Sequence, residues 1–266
     1  VIDAIRSEIY KLRTTPGPWV VLLLIVPLTV LSMLAVFGNA GGSAVNGGLS
    51  HVRTVNQARV LLGASYTFGA VLAPIAGVLC ITTEYRHKVI TTSLLMTPRR
   101  EIVLIGKGIA SGLWGVAMAV LGLAAAMGIG VPWNSALGGS AGQVLDQMGA
   151  VLPGLVAVFV LLTLFGLGFG TLVRNQVAAV LITIGGTLVL EPIVVFLLHH
   201  YVNYNLNWLP TDTAASLAGT LARIQGGGAN PGVPLLPWWG GGLALLAWGV
   251  VPLVVGYFTT FRRDVT

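Results

Sequence analysis

Few side chains in this sequence are equipped for chemistry, and most stand singly among apolar neighbours. His199 and Asn203 form an H-x-x-x-N spacing in HHYVN. A membrane-embedded protease that uses such a string also needs a paired-Glu motif on another span, and no Glu-Glu occurs here. The His199–His200 pair is a conceivable metal ligand, but no carboxylate lies close by in sequence, and ring nitrogens near a membrane surface commonly just meet water. Cys80 is the single cysteine, so neither an intramolecular disulfide nor a cysteine-based metal site is available. The residues therefore predict no catalytic site, no bound cofactor and no metal.

Nucleotide motifs are missing too. A phosphate-cradling loop needs G-x-x-x-x-G-K-[ST] after a strand. The nearest string, EIVLIGKG, has Glu101 where the first Gly should be and Gly108 after Lys107. GLGFG at 166–170 brings its third Gly too early for a dinucleotide fingerprint. There is no H-E-x-x-H. One acid does stand out: Glu191, in LVLEPIVV, deep in an apolar run and followed by Pro192. An ionisable group there is costly and marks a functional hypothesis, while the proline loosens the helix and frees a backbone carbonyl. Two readings stay open. Glu191 and Pro192 face a transport pathway or gate, or Glu191 makes a structural hydrogen bond that holds the outer loop.

These residues need a scaffold, and composition decides its kind. The 266 residues are 55% hydrophobic and only 8% charged, with mean hydropathy +0.89; soluble domains carry about 25% charged residues. The pattern predicts an all-α integral membrane protein. Six spans are expected near 19–37, 61–82, 108–131, 150–173, 177–198 and 238–260. Each covers about 30 Å at 1.5 Å per residue. No cleavable signal peptide is expected, because the first apolar run is full span length.

Between the spans, shorter elements are expected. IDAIRSEIYKLRTT carries Ile2, Ile5, Ile9 and Leu12 at helical steps, which predicts an amphipathic helix lying flat at the interface with its charges on the other face; Pro16 and Pro18 separate it from the first span. The stretches 39–50 and 132–148 read as connections. In the loop 199–237, Thr211 or Asp212 is expected to cap a short re-entrant or outer helix with Ala214, Leu217, Leu221 and Ile224 on one face, ended by GGGANPG. Gly108 and Gly112, and Gly166 and Gly170, form G-x-x-x-G pairs for close helix packing. Trp208, Trp238, Trp239 and Tyr201 are expected in an aromatic belt.

The net charge is +6, but its placement argues for topology rather than nucleic-acid binding. Eleven of the fourteen Lys/Arg fall before the first span, between the second and third, between the fourth and fifth, or after the sixth. The positive-inside rule then puts both termini and the segment 83–107 in the cytoplasm, in a multi-pass protein of the cytoplasmic membrane. That segment, TEYRHKVITTSLLMTPRREIVLIGK, sets an apolar SLLM patch within a basic rim. It is either a docking surface or positive-inside charge with an interfacial turn.

At this point the sequence resembles the permease subunits of type-2 ABC exporters. The family pattern is a Glu closing the second span, Tyr-Arg-His-Gly-Thr, a Leu-Leu patch, Pro, basic residues and a Lys opening the third span. Glu84, Tyr85, Arg86, His87, Leu94, Leu95, Pro98, Arg99, Arg100 and Lys107 follow it. Lys88–Val89 depart from it. SEIYKLRTT, GFGTLVRNQVAAV, WLPTDTAASL and FRRDV are similar to further family elements, in order along the whole chain.

The resemblance implies a single transmembrane domain over 1–266 that does no catalysis itself. It implies a loop at 83–107 whose Glu84, Arg86, His87, Leu94, Leu95, Met96, Pro98, Arg99 and Arg100 couple to a separate ATPase subunit, present in two copies and binding ATP and Mg. A second permease chain, identical or homologous, and the lipid bilayer complete the set of partners. An amphipathic drug or antibiotic, lipid or hydrophobic peptide suits the apolar, Gly-rich path. The alternatives are a secondary transporter, which would favour several intramembrane acids and inverted repeats, and a non-transporting membrane scaffold.

Overall fold

The computed structural model describes residues 2–38, 55–87, 100–136, 140–202, 207–218 and 236–261. Among these residues the chain is helical, with no strand, and six helices are long and apolar enough to cross a membrane. Those segments are Pro16–Ala35, Leu61–Arg86, Glu101–Ala136, Val144–Leu172, Gln176–Leu198 and Trp238–Thr259.

Helix α1 (Ile2–Thr14) is followed after Thr15 by α2 (Pro16–Gly38), the first span. Pro16 opens α2, where a missing N–H costs nothing. The second span is α3 (Val55–Arg86), the third α4 (Arg100–Ala136) and the fourth α5 (Ala141–Leu172). The fifth consists of α6 (Gln176–Gly185), a π-helical turn (Gly186–Leu190) and α7 (Glu191–Val202). The short helix between the fifth and sixth spans is α8 (Pro210–Ala218), and α9 (Trp238–Gly256) is the sixth span, extended by a second π-helical turn (Tyr257–Phe261).

Helix α5 is the hub. Its Leu155, Val158, Phe159 and Leu162 pack in one buried cluster with Leu61, Leu62 and Tyr66 of α3, Met118 and Leu123 of α4, and Ala214 of α8. The second and fourth spans meet almost backbone to backbone. A Cβ on Gly77 would fall 1.9 Å from the Thr163 carbonyl oxygen, and one on Gly166 would fall 1.9 Å from that of Pro74. Only glycine fits there, the small-residue contact that lets membrane helices close up. A Cβ on Gly170 would fall 2.6 Å from the Ile81 Cγ2 atom, a less severe approach to a side chain. Gly108 and Gly112 face Leu164 and Val160 at 3.8 and 3.6 Å, ordinary contacts.

Several sequence boundaries need correction. The connection expected at 132–148 is mostly helix, because α4 runs through Pro132 to Ala136 and α5 starts at Ala141. Hydrogen-bonding the backbone internally outweighs the local turn preference of Pro and Gly when no water is at hand. Likewise α3 continues to Arg86 and α4 begins at Arg100, so the expected loop 83–107 shrinks to the stretch between them, and Lys107 belongs to the third span. The outer connection 39–50 lies outside the described residues, as do Leu221, Ile224 and GGGANPG.

Candidate functional site

Two polar clusters interrupt the apolar interior, one near each end of the bundle. The first gathers four charges from three helices. Lys107 of α4 is fully buried and donates to Glu8 Oε2 of α1 at 2.8 Å and to Glu84 Oε1 of α3 at 2.6 Å. Lys11 Nζ donates to Glu8 Oε1 at 2.6 Å and to Glu84 Oε1 at 2.9 Å. Two ammoniums and two carboxylates cancel, which is how such groups are tolerated away from water. The second oxygen of Glu84 is buried with no hydrogen-bond partner. Beside the cluster lies a cavity of about 240 Å³, whose polar lining includes Thr14, Thr15, Thr83 and His87.

Local sequence explains the placement. Glu8 and Lys11 sit one helical turn apart on α1 and share a face. Leu12 packs below them in a buried cluster with Cys80, Ile81, Val103, Ala110 and Leu167. The expected division of α1 into an apolar stripe and a charged face therefore needs correction. Glu8 is buried while Ile5 and Ile9 are only half-buried, because the facing spans present Lys107, and an ion pair outweighs an aliphatic contact there. Helix α1 accordingly seats against the bundle, chiefly on α4.

The second cluster sits at α8. Glu191 Oε1 accepts from the Thr211 backbone N–H and Oε2 from the Thr211 hydroxyl, both at 2.9 Å. The carboxylate thus caps the first turn of α8 from a different helix, the favourable place for negative charge. Thr211 and Asp212, expected as caps, lie inside that turn, since Pro210 already opens the helix. The buried Tyr66 hydroxyl donates to the Thr211 carbonyl at 3.4 Å, and Trp248 Nε1 donates to the Trp208 carbonyl at 2.9 Å. Second, fifth and sixth spans thereby hold α8. Its Asp212, Thr213, Ala214, Ala215 and Ser216 are buried, so it packs on protein, as irregular backbone at such a depth requires. Glu191 follows directly on the π-helical turn; such turns re-aim the residues after them.

The remaining sequence candidates are dispersed. Glu84 was expected on an ATPase-facing loop; this needs correction, because it is buried and bound to Lys11 and Lys107 within the helical bundle. Arg86 ends α3 and His87 follows it, both exposed. Arg100 is the first residue of α4. Leu94, Leu95, Met96, Pro98 and Arg99 lie outside the described residues. Pro192 is half-buried in the first turn of α7. Trp238, Trp239 and Tyr201 are exposed, and Trp208 stacks on Trp248 with centroids 6.2 Å apart. The spelling G-x-S-x-G does occur, at 138–142. Ser140 stands just before α5, and no strand of the kind that presents such a nucleophile occurs among the described residues. No group of three His, Cys, Asp or Glu among the described residues is placed to hold a metal.

Helix order now agrees with the motif order read from the sequence, and the comparison with known families decides between the readings. Residues 5–265 match the family described as ABC-2 family transporter protein. The chain belongs to that family. It is therefore a multi-pass membrane subunit of an ABC transporter, of a kind that is generally non-catalytic and works with an ABC ATPase subunit. No curated protein matches the chain. Family motifs also acquire physical roles. Asn175, in GFGTLVRNQVAAV, caps α6 by accepting from the Val177 and Ala178 amides at 3.0 and 3.2 Å. Glu8, Lys11, Glu84 and Lys107, drawn from three separate motif positions, meet in one cluster. That meeting was missed in the sequence, although opposite charges beside three apolar runs were its trace.

Proposed function

We propose that this chain is the permease of an ATP-driven exporter, moving an amphipathic substrate outward across the cytoplasmic membrane. The family match over 5–265 carries this reading. Two copies of a separate ATPase bind ATP and Mg, and two permease chains, identical or homologous, enclose the path between them. Both termini and the segment between α3 and α4 face the cytoplasm, in keeping with the Lys/Arg distribution. There the Leu94–Met96 patch, with Pro98 and the flanking Arg86, His87, Arg99 and Arg100, docks into a cleft of the ATPase. Closure on ATP pushes this segment, the spans tilt, and the path opens to the outside. Drugs or antibiotics, lipids and hydrophobic peptides all fit an interior with few charges, which makes multidrug efflux and antibiotic resistance plausible outcomes of the activity.

Family membership displaces the secondary-transporter alternative, and Glu191 lends that alternative no support, since both its oxygens are engaged by Thr211. The test is co-purification with the ATPase encoded beside it, followed by ATP turnover in lipid with and without this chain. A stoichiometric complex whose turnover depends on the permease supports the reading, whereas a stable complex with unchanged turnover supports a scaffold. Leu94→Asp with Leu95→Asp is expected to separate the subunits while the permease still inserts. Undiminished co-purification would remove the docking assignment.

A further inference from the structure

The four buried charges do more than neutralise one another. Glu84 lies at the end of the second span and Lys107 near the start of the third, so their 2.6 Å bond joins the two roots of the segment between α3 and α4. Glu8 and Lys11, paired with each other within α1, add that helix to the same knot through two further contacts of 2.8 and 2.9 Å. Apolar residues of similar volume commonly hold helices at least as stably as a buried ion cluster. What charges add is register, because each ammonium satisfies two carboxylates only in one relative position of the three helices.

We propose that Glu8, Lys11, Glu84 and Lys107 are positioning residues that make α1 and the cytoplasmic ends of the second and third spans one rigid body, so that a push on the segment between them is transmitted to all three together. The inference rests on the reading that this segment receives the ATPase stroke. It assigns α1 to the transmission machinery rather than to membrane anchoring. Lys107 is the keystone, being fully buried and bonded to both neighbouring helices.

The experiment uses the intact permease–ATPase complex in lipid nanodiscs, with Cys80→Ala so that introduced cysteines are the only thiols of this chain. Spin labels go on Tyr10→Cys and His87→Cys, both exposed. A second pair combines Tyr10→Cys with Tyr201→Cys, at the other end of the fifth span. Distances are compared with ADP and with ATP and Mg. The expected result is a Tyr10–His87 distance that stays fixed while the Tyr10–Tyr201 distance changes. If the Tyr10–His87 distance changes to a similar degree, the rigid-body inference falls although the docking reading stands. If neither changes, alternation itself falls and takes the inference with it. In Glu8→Gln, assembly is expected to persist while permease-dependent ATP turnover drops about tenfold, an ordinary size for a coupling effect. Undiminished turnover with unaltered distances in that variant overturns the inference.

Discussion

Glu84 and Glu191 are both buried carboxylates in membrane spans, yet their surroundings differ in kind. Glu84 is held by two ammonium groups, in a cluster where every member depends on the others. Glu191 is held by one amide and one hydroxyl of a single residue, Thr211. Losing one charge from the first leaves another charge buried without compensation. Losing a bond from the second leaves neutral donors. The Glu84 cluster is thus suited to staying closed through a cycle, and the Glu191 contact to being broken and remade at low cost. In the proposed exporter, a helix lying over the path has to move for anything to pass, whereas the roots of the ATPase-docking segment must not yield.

Substitutions can break or sharpen this contrast. The largest effect is expected from Lys107→Met, which strips both buried carboxylates of the fully buried one of their two shared partners. The cost of such a loss is about 3–5 kcal/mol, read as a large fall in thermal unfolding temperature of the purified permease. A fall no larger than that of a Glu191 variant would erase the distinction. Glu191→Gln comes next. Its carbonyl keeps the Thr211 N–H and its NH2 donates to the Thr211 hydroxyl, which turns from donor to acceptor, so only the charge-assisted part of the contact is lost, about 1 kcal/mol, with the fold and ATPase co-purification retained. Aggregation or failed insertion of Glu191→Gln would make the Glu191 contact as indispensable as the Glu84 cluster. Tyr66→Phe should be mildest. A 3.4 Å contact is long, and its removal should cost at most about 0.5 kcal/mol by unfolding.

The sequence revealed the six spans because hydropathy averages over twenty residues and tolerates small errors in any one of them. It failed wherever a single partner mattered. Pro132 reads as a turn residue until the surrounding helices are in place. Ile5 and Ile9 read as the buried face of α1 until Lys107 draws Glu8 inward. Glu191 was recognised as unusual from its depth alone, but Thr211 as its partner lies 20 residues away and on a different helix. Gly166 and Gly170 announced close packing by their spacing, and Gly108 and Gly112 have the same spacing with only ordinary contacts. The motif identifies small residues, not which side of the helix another backbone occupies.

The distance along the chain between Glu8 and Lys107 is 99 residues, and this sets an order on biogenesis. As the polypeptide leaves the ribosome, α1 and the first two spans emerge before the residue that completes their polar seat. Until the third span has been made, Glu8 and Glu84 have only Lys11 of the cluster between them. The N-terminal helix therefore cannot complete its polar seat against the bundle until translation has moved past residue 107.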